Sequence, residues 1–252
     1  MEVAHTSYTT PWVILSETNL NTRMRLFCFP YAGGGASLFR NWHRHLPSDV
    51  AVCAVQLPGR ENRLSETPYT GMDMLVTDLV DALRPILNRP FAFFGYSMGA
   101  LISFEVARYL REYHELAPEM LFVAAHRGPQ LLHPDPVTHN LSDETFIDKL
   151  RRMKGTPRDV LNNTELMALR LPTLRADFTL CGTYTYLDAP PLDCPISAFA
   201  GTRDTIAPKA VVDTWREQTC NTFSLRLIAG NHFFIHSALP TMLWAVEHDL
   251  QE

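Results

Sequence analysis

The stretch Phe91-Ala92-Phe93-Phe94-Gly95-Tyr96-Ser97-Met98-Gly99-Ala100-Leu101-Ile102-Ser103-Phe104-Glu105-Val106-Ala107-Arg108 decides the fold of this 252-residue chain. Its first four residues are apolar and read as a buried strand. Gly95 to Gly99 then make a sharp turn, and the run from Ala100 onward suits a helix. The turn is tight enough that a Cβ at either glycine would meet neighbouring backbone. Ser97 is thereby held in a strained conformation, with its hydroxyl presented at the carboxyl edge of the sheet. The helix that follows aims its free N–H groups at the same spot, where they favour negative charge. The plain alternative, a turn serine that caps a helix, is disfavoured by the strand before and the helix after.

Strand, Gly-x-Ser-x-Gly, helix resembles the nucleophile elbow of α/β-hydrolases. Outward from it, strand-like and helix-like segments alternate. Met24-Arg25-Leu26-Phe27-Cys28-Phe29 is an apolar run ending at Pro30, and Val50-Ala51-Val52-Cys53-Ala54-Val55 is the next buried strand. Ser37 is a candidate cap for a helix through Leu46. Met72, Leu75, Val76, Leu79, Val80 and Leu83 recur at helical spacing. Residues 120–125 form a further strand. Alternation resumes with strand 196–200, a helix near 208–218, strand 223–228 and a last helix near 237–248. Strands separated by helices imply parallel βαβ units. The expected fold is therefore α/β: a mostly parallel central sheet with helices on both faces, in a single domain spanning 1–252.

Residues 129–191 break the pattern, because they contain no buried strand. Ser142 is a candidate cap for a helix over Phe146, Leu150 and Met153, and Asn163 for another over Leu166 and Leu169. Pro172 is expected to kink or end that second helix. This block reads as a helical insertion that lies over the site as a lid. Residues 1–20 read as a loosely held lead-in.

Composition narrows the function classes. The chain carries 22 Lys and Arg against 27 Asp and Glu, a formal charge of −5, which argues against a nucleic acid partner. No run of 18 or more apolar residues occurs, so no membrane span is expected. The first ten residues have no basic region, and Pro11 to Leu15 is too short for a signal-peptide core. The five cysteines, Cys28, Cys53, Cys181, Cys194 and Cys220, are scattered and odd in number. Buried free thiols in a reducing cytosol are the expected state, with no metal site among them. His43 and His45 lack a third ligand.

A serine hydroxyl needs a base, and the base needs an orienting carboxylate. In α/β-hydrolases these follow in the order Ser, acid, His, each on a loop after a strand. Asp204 follows strand 196–200, and His232 follows strand 223–228. His236 lies one helical turn further on and is the weaker candidate base. Asp188 and Asp193 precede their strand, and Asp177 falls in the insertion. Two backbone donors should stabilise an oxyanion. One is the N–H of Met98; the other comes from Pro30-Tyr31-Ala32-Gly33-Gly34-Gly35, with Ala32 favoured and its neighbour the alternative.

Taken together, these segments resemble type II thioesterases, the stand-alone hydrolases that accompany non-ribosomal peptide synthetases and polyketide synthases. Phe29 to Ser37 looks like the family's oxyanion loop. Gln56-Leu57-Pro58-Gly59-Arg60 looks like its Pro-Gly-Arg loop, and Gly95 to Ala100 matches its elbow. Leu141 to Glu144, Gly155-Thr156-Pro157 and Leu171-Pro172-Thr173-Leu174-Arg175-Ala176-Asp177-Phe178 are similar to its lid. The resemblance runs from about Arg25 to the last helix. Tyr96 stands where many members have His, and 125–129 departs from the usual pattern. Neither departure is expected to touch the triad, and both are expected at the pocket mouth.

The resemblance implies hydrolysis of acyl groups from the 4′-phosphopantetheine thiol of carrier proteins, with the pantetheine arriving on the substrate and no cofactor of the enzyme's own. It also implies an acylated carrier protein as partner. A cytoplasmic setting is expected from the scattered free cysteines, and a monomer because no sustained interaction motif appears. A medium-chain acyl thioesterase, an acyl transferase and a general carboxylesterase share the same chemistry, whereas a non-catalytic binding protein would usually lack a triad member. Carrier proteins are usually acidic, so a basic surface should dock them. Candidates are Arg151, Arg152, Lys154 and Arg158 of the insertion, with Arg60 and Arg63 of the earlier loop; an ordinary solvated face is the alternative.

Overall fold

The computed structural model describes residues 10–15, 22–134, 140–153 and 158–251. Seven strands form one sheet: β1 (Val13–Leu15), β2 (Met24–Phe29), β3 (Val50–Val55), β4 (Phe91–Tyr96), β5 (Met120–Ala124), β6 (Ile196–Gly201) and β7 (Phe223–Ile228). Their spatial order is β1-β3-β2-β4-β5-β6-β7. Every pairing is parallel except β1 with β3. The chain builds outward from β2 to β3, then returns past β2 to β4. The strand order reverses between β2 and β4, and such a reversal leaves a crevice at the carboxyl ends of the two strands.

The apolar runs form strands because both faces of the sheet are covered. Phe27, Phe91 and Phe93 point to one face, under α1 (Met72–Leu83) and α2 (Met98–His114). Leu26, Ala92, Phe94 and Tyr96 point to the other, where Trp42 and Met242, Leu243 and Val246 of the last helix cover them. Edge-to-face aromatic pairs lock both layers: Phe27 and Phe93 lie 6.0 Å apart at 87°, and Trp42 and Phe94 lie 4.8 Å apart at 74°.

Between β5 and β6 the chain forms α3 (Asp143–Met153), α4 (Arg158–Leu161) and α5 (Thr164–Thr183). Phe146, Leu150, Leu161, Met167 and Leu174 give these helices a small core of their own. Ser142 Oγ accepts the Thr145 N–H at 3.4 Å, and Asn163 Oδ1 accepts the Leu166 N–H at 3.0 Å, so both expected caps are in place. Gly155-Thr156-Pro157 and Lys154 lie outside the described residues.

Several local expectations are corrected. Within the expected lead-in, Val13–Leu15 instead pair antiparallel with Cys53 to Val55 and cover the outer edge of β3. Ser37 does not cap an α-helix. Its hydroxyl donates to Glu61 Oε1 at 2.5 Å and its N–H faces the same carboxylate, so the segment is tied to the 56–61 loop. Two 3-10 turns, Ala36–Phe39 and Trp42–Arg44, result. Helix α5 continues through Pro172. An internal proline costs roughly 3 kcal/mol, and tertiary anchors on the residues that follow hold the helix together, as described below. The helix expected near 208–218 is one short turn, α6 (Lys209–Val212), followed by the 3-10 segment Asp213–Gln218. The last helix is two pieces, α7 (Phe234–Ser237) and α8 (Leu239–Asp249). All five cysteines are free, but Cys220 is exposed and Cys181 only partly covered. No helix among the described residues is long and apolar enough to cross a membrane.

Candidate active site

Ser97 sits between β4 and α2 with φ +52° and ψ −117°. A non-glycine residue rarely adopts such a positive φ, and it persists only where the surroundings enforce it. Here β5 holds the turn, because the Ser97 N–H donates to the Ala124 carbonyl at 2.8 Å. The two flanking glycines are steric necessities. A Cβ on Gly99 would overlap the Phe29 carbonyl, and one on Gly95 would overlap the backbone of Gly99 and Ala100.

The loops after β6 and β7 are tied to each other. The Thr202 N–H donates to the Ile228 carbonyl at 2.9 Å, and the Arg203 N–H to the Gly230 carbonyl at 2.8 Å. They bring His232 and Asp204 to Ser97. His232 Nε2 lies 3.1 Å from Ser97 Oγ, and its Nδ1 lies 2.9 Å from Asp204 Oδ2. Asp204 Oδ1 accepts the N–H groups of Ile206 and Ala207 at 2.8 and 2.9 Å. Burial alone raises the Asp204 pKa, but the imidazole and these two amides outweigh it, so the carboxyl is held below its ordinary value. His236, the weaker candidate, is 3.0 Å from the Tyr31 hydroxyl instead. A serine hydroxyl, an imidazole and a buried carboxylate in this chain are equipped to generate a nucleophile at neutral pH.

Ala32 lies on the loop after β2, across the crevice from Ser97. The N–H of its neighbour Gly33 is taken by Asp177 Oδ2 at 2.6 Å, and the N–H of Gly34 by the Tyr31 carbonyl at 2.8 Å. Met98 opens α2, so its N–H has no acceptor inside the helix.

A cavity of about 600 Å³ opens over Ser97 and His232. Ala32 and Gly33 line one side; Leu150, Met153, Leu169 and Phe178 of the insertion line the other. The wall is largely apolar, with Arg60, Glu61 and Arg170 as its charged members.

Two features escaped the sequence. Tyr96 was expected near the pocket mouth and clear of the triad, yet it is fully buried beneath the His232 turn. Its hydroxyl donates to the His232 carbonyl at 2.7 Å and accepts the Ile235 N–H at 3.3 Å. Arg60 and Arg63, expected as surface charges for docking, are also buried. Arg60 makes two 2.8 Å bonds to Asp177, while Arg63 binds Glu66 and the Gln56 carbonyl and stacks over Trp12. Neither is available to a partner. Arg152 is exposed, and Arg151 is exposed but paired with Asp148 at 2.6 Å. The sequence signal for the Arg60–Asp177 pair is an aspartate on the same helical face as Thr173 and Leu174, since a charge buried there requires a partner.

A family model for the thioesterase domain matches residues 24–250. The gramicidin S biosynthesis protein GrsT of Aneurinibacillus migulanus is 44% identical over 232 residues, covering 92% of this chain and 91% of that protein. RedJ, a thioesterase from the prodiginine biosynthetic pathway of Streptomyces coelicolor, superposes with a TM-score of 0.85 at 40% identity, covering 90% of this chain and 85% of that one. BorB, a type II thioesterase from the borrelidin biosynthetic cluster, superposes with a TM-score of 0.86 at 33% identity, covering 96% and 98%.

Proposed function

The chain belongs to the thioesterase domain family, and from that premise we propose that it is a type II thioesterase. It cleaves acyl groups from the 4′-phosphopantetheine thiol of carrier proteins in non-ribosomal peptide or polyketide assembly, clearing stalled or mis-primed units. The observation that carries this reading is the hydrogen-bonded chain Ser97–His232–Asp204 at the floor of a largely apolar cavity. Similarity along nearly the whole length to GrsT and BorB supports the choice of substrate class.

His232 Nε2 takes the Ser97 proton as Oγ attacks the thioester carbonyl. The oxyanion is received by the N–H groups of Ala32 and Met98. The C–S bond breaks, and the imidazolium returns the proton to the departing pantetheine sulfur. Water then gives a proton to His232 and attacks the acyl-serine, and the acid leaves as Ser97 is reprotonated. Asp204 holds the imidazole with Nε2 free to accept, and it favours the imidazolium between steps. The enzyme needs no cofactor of its own, so chelators should leave its rate unchanged.

The test is product analysis on an acyl-loaded carrier protein with wild type and Ser97→Ala. The expected result is free acid and free-thiol carrier from wild type, with Ser97→Ala slower by several orders of magnitude. Full activity of Ser97→Ala overturns the mechanism. A carrier that stays loaded while simple oxygen esters are cleaved points to a general esterase, and passage of the acyl group to a second acceptor points to a transacylase.

A further inference from the structure

Asp177 is 2% exposed and lies on α5, 144 positions from the loop that it touches. Its Oδ2 accepts the Gly33 N–H at 2.6 Å and Arg60 Nη1 at 2.8 Å; its Oδ1 accepts Arg60 Nη2 at 2.8 Å. Arg60 in turn donates to the carbonyls of Gly34 and Pro58, each at 3.2 Å. Thr173, one turn earlier on α5, donates to the Gly59 carbonyl at 2.5 Å. One face of α5 is thus pinned to both the 31–35 and the 58–60 loops.

The bond to Gly33 has a specific geometric effect. The Gly34 N–H to Tyr31 carbonyl bond closes a four-residue turn with Ala32 and Gly33 at its centre, and Gly33 has φ +78°. These are the marks of a type II turn, whose central peptide is flipped about half a revolution relative to type I. That central peptide joins the Ala32 carbonyl to the Gly33 N–H. A carboxylate fixed by an arginine holds the flipped orientation and removes Gly33 as a competing donor.

We propose that Asp177 is a positioning residue for the oxyanion loop: by capturing the Gly33 N–H it fixes the turn and leaves the Ala32 N–H, on the preceding peptide, as the donor this loop offers an oxyanion at Ser97, since the Gly34 N–H is taken by Tyr31. The inference rests on the acyl-transfer reading of Ser97. It makes α5 part of the catalytic scaffold, because the donor pair is complete only while this helix is seated.

The test compares wild type with Asp177→Asn and Asp177→Leu on an acyl-N-acetylcysteamine thioester. It adds the affinity of a trifluoromethyl ketone, whose serine adduct carries an oxyanion, and of the matching unreactive amide. Misplacing an oxyanion donor costs on the order of 100-fold. The expected result is a kcat lower by about 30- to 100-fold, KM within about threefold, ketone affinity down by the same factor as kcat, and amide affinity unchanged. A purely structural role would weaken ketone and amide alike. A folded Asp177→Asn protein with kcat and ketone affinity within about twofold of wild type overturns the proposal. If neither variant folds, amide exchange in the wild type decides. The Gly33 amide should exchange slowly and in step with the amides of α5, and the Ala32 amide fast; a fast Gly33 amide beside a protected α5 overturns the proposal. Labelling of Ser97 by a fluorophosphonate separates the two failures: an unlabelled wild type removes the reading of Ser97, whereas equal labelling of wild type and Asp177→Asn removes only the role of Asp177.

Discussion

Removing one oxygen atom, in Tyr96→Phe, tests how the base is held. The phenol donates to the His232 carbonyl at 2.7 Å and accepts the Ile235 N–H at 3.3 Å, so it staples both ends of the turn that carries the base. Burial raises its pKa far above the ordinary value, so the hydroxyl keeps its proton and remains a donor. Phenylalanine preserves the ring contacts with Tyr31, His232 and Phe234, at 6.1, 6.4 and 5.1 Å. The deletion therefore leaves no cavity larger than an oxygen atom, but it does leave a buried carbonyl and a buried N–H without their partner. Orphaning a buried polar group costs about 1–3 kcal/mol. The short bond should account for most of a total near 2 kcal/mol, and the long one for little. For a chain of this size that lowers Tm by about 4–8 °C. Asp204 still grips the imidazole, so the ring should shift by less than an ångström and kcat should fall about tenfold. KM should hold, because Tyr96 does not line the cavity. Thermal unfolding and steady-state hydrolysis of an acyl thioester measure both quantities. A Phe variant with wild-type Tm and kcat, or one altered only in KM, would refute the reasoning.

Gly99→Ala places a methyl against the Phe29 carbonyl, a main-chain group that cannot swing aside; it should cost at least about 3 kcal/mol, and a folded variant with wild-type Tm would contradict that. The His126 imidazole is pushed down to about 4 by burial, from an ordinary value of 6.5. The folded state thus binds fewer protons than the unfolded one between these values, and its stability contribution is complete above pH 6.5 and lost as pH falls towards 4, by at most about 3 kcal/mol. Urea unfolding at pH 7 and 4.5 should show a larger loss for wild type than for His126→Gln; equal losses would remove His126 as the cause. Asp204, held below its ordinary carboxyl value, adds its own loss only at still lower pH.

The long strands were legible because burial on both faces leaves an unbroken apolar run, as in Phe91 to Phe94 and Val50 to Val55. Strand β1 was not, because three half-exposed residues carry no period and their partner lies some 40 positions away. Ser97, Asp204 and His232 were readable since each stands where a strand ends, so topology alone brings them together. Arg60 and Asp177 are separated by 117 positions, and no local spacing reports on such a pair. Arginine is usually exposed, which is why the sequence placed Arg60 on a docking surface. Tyr96 was misjudged for a related reason: alternation assigns it a face of the sheet, but not the backbone that folds over that face.

The helices over the site are the crossover between two paired strands, β5 and β6. Everything from Ala125 to Pro195 can therefore change in length or sequence while the register of Leu121 with Ile196 stays as it is. Ser97, Asp204 and His232 come from other parts of the chain, whereas Leu150, Met153, Leu169 and Phe178 come from this one stretch. On the proposed reading, bond-breaking belongs to segments outside the crossover, while the crossover supplies much of the apolar wall that meets the acyl group. A lineage can retune what fits the cavity by drift within the crossover, except at positions such as Thr173 and Asp177, which bond the loops beneath it.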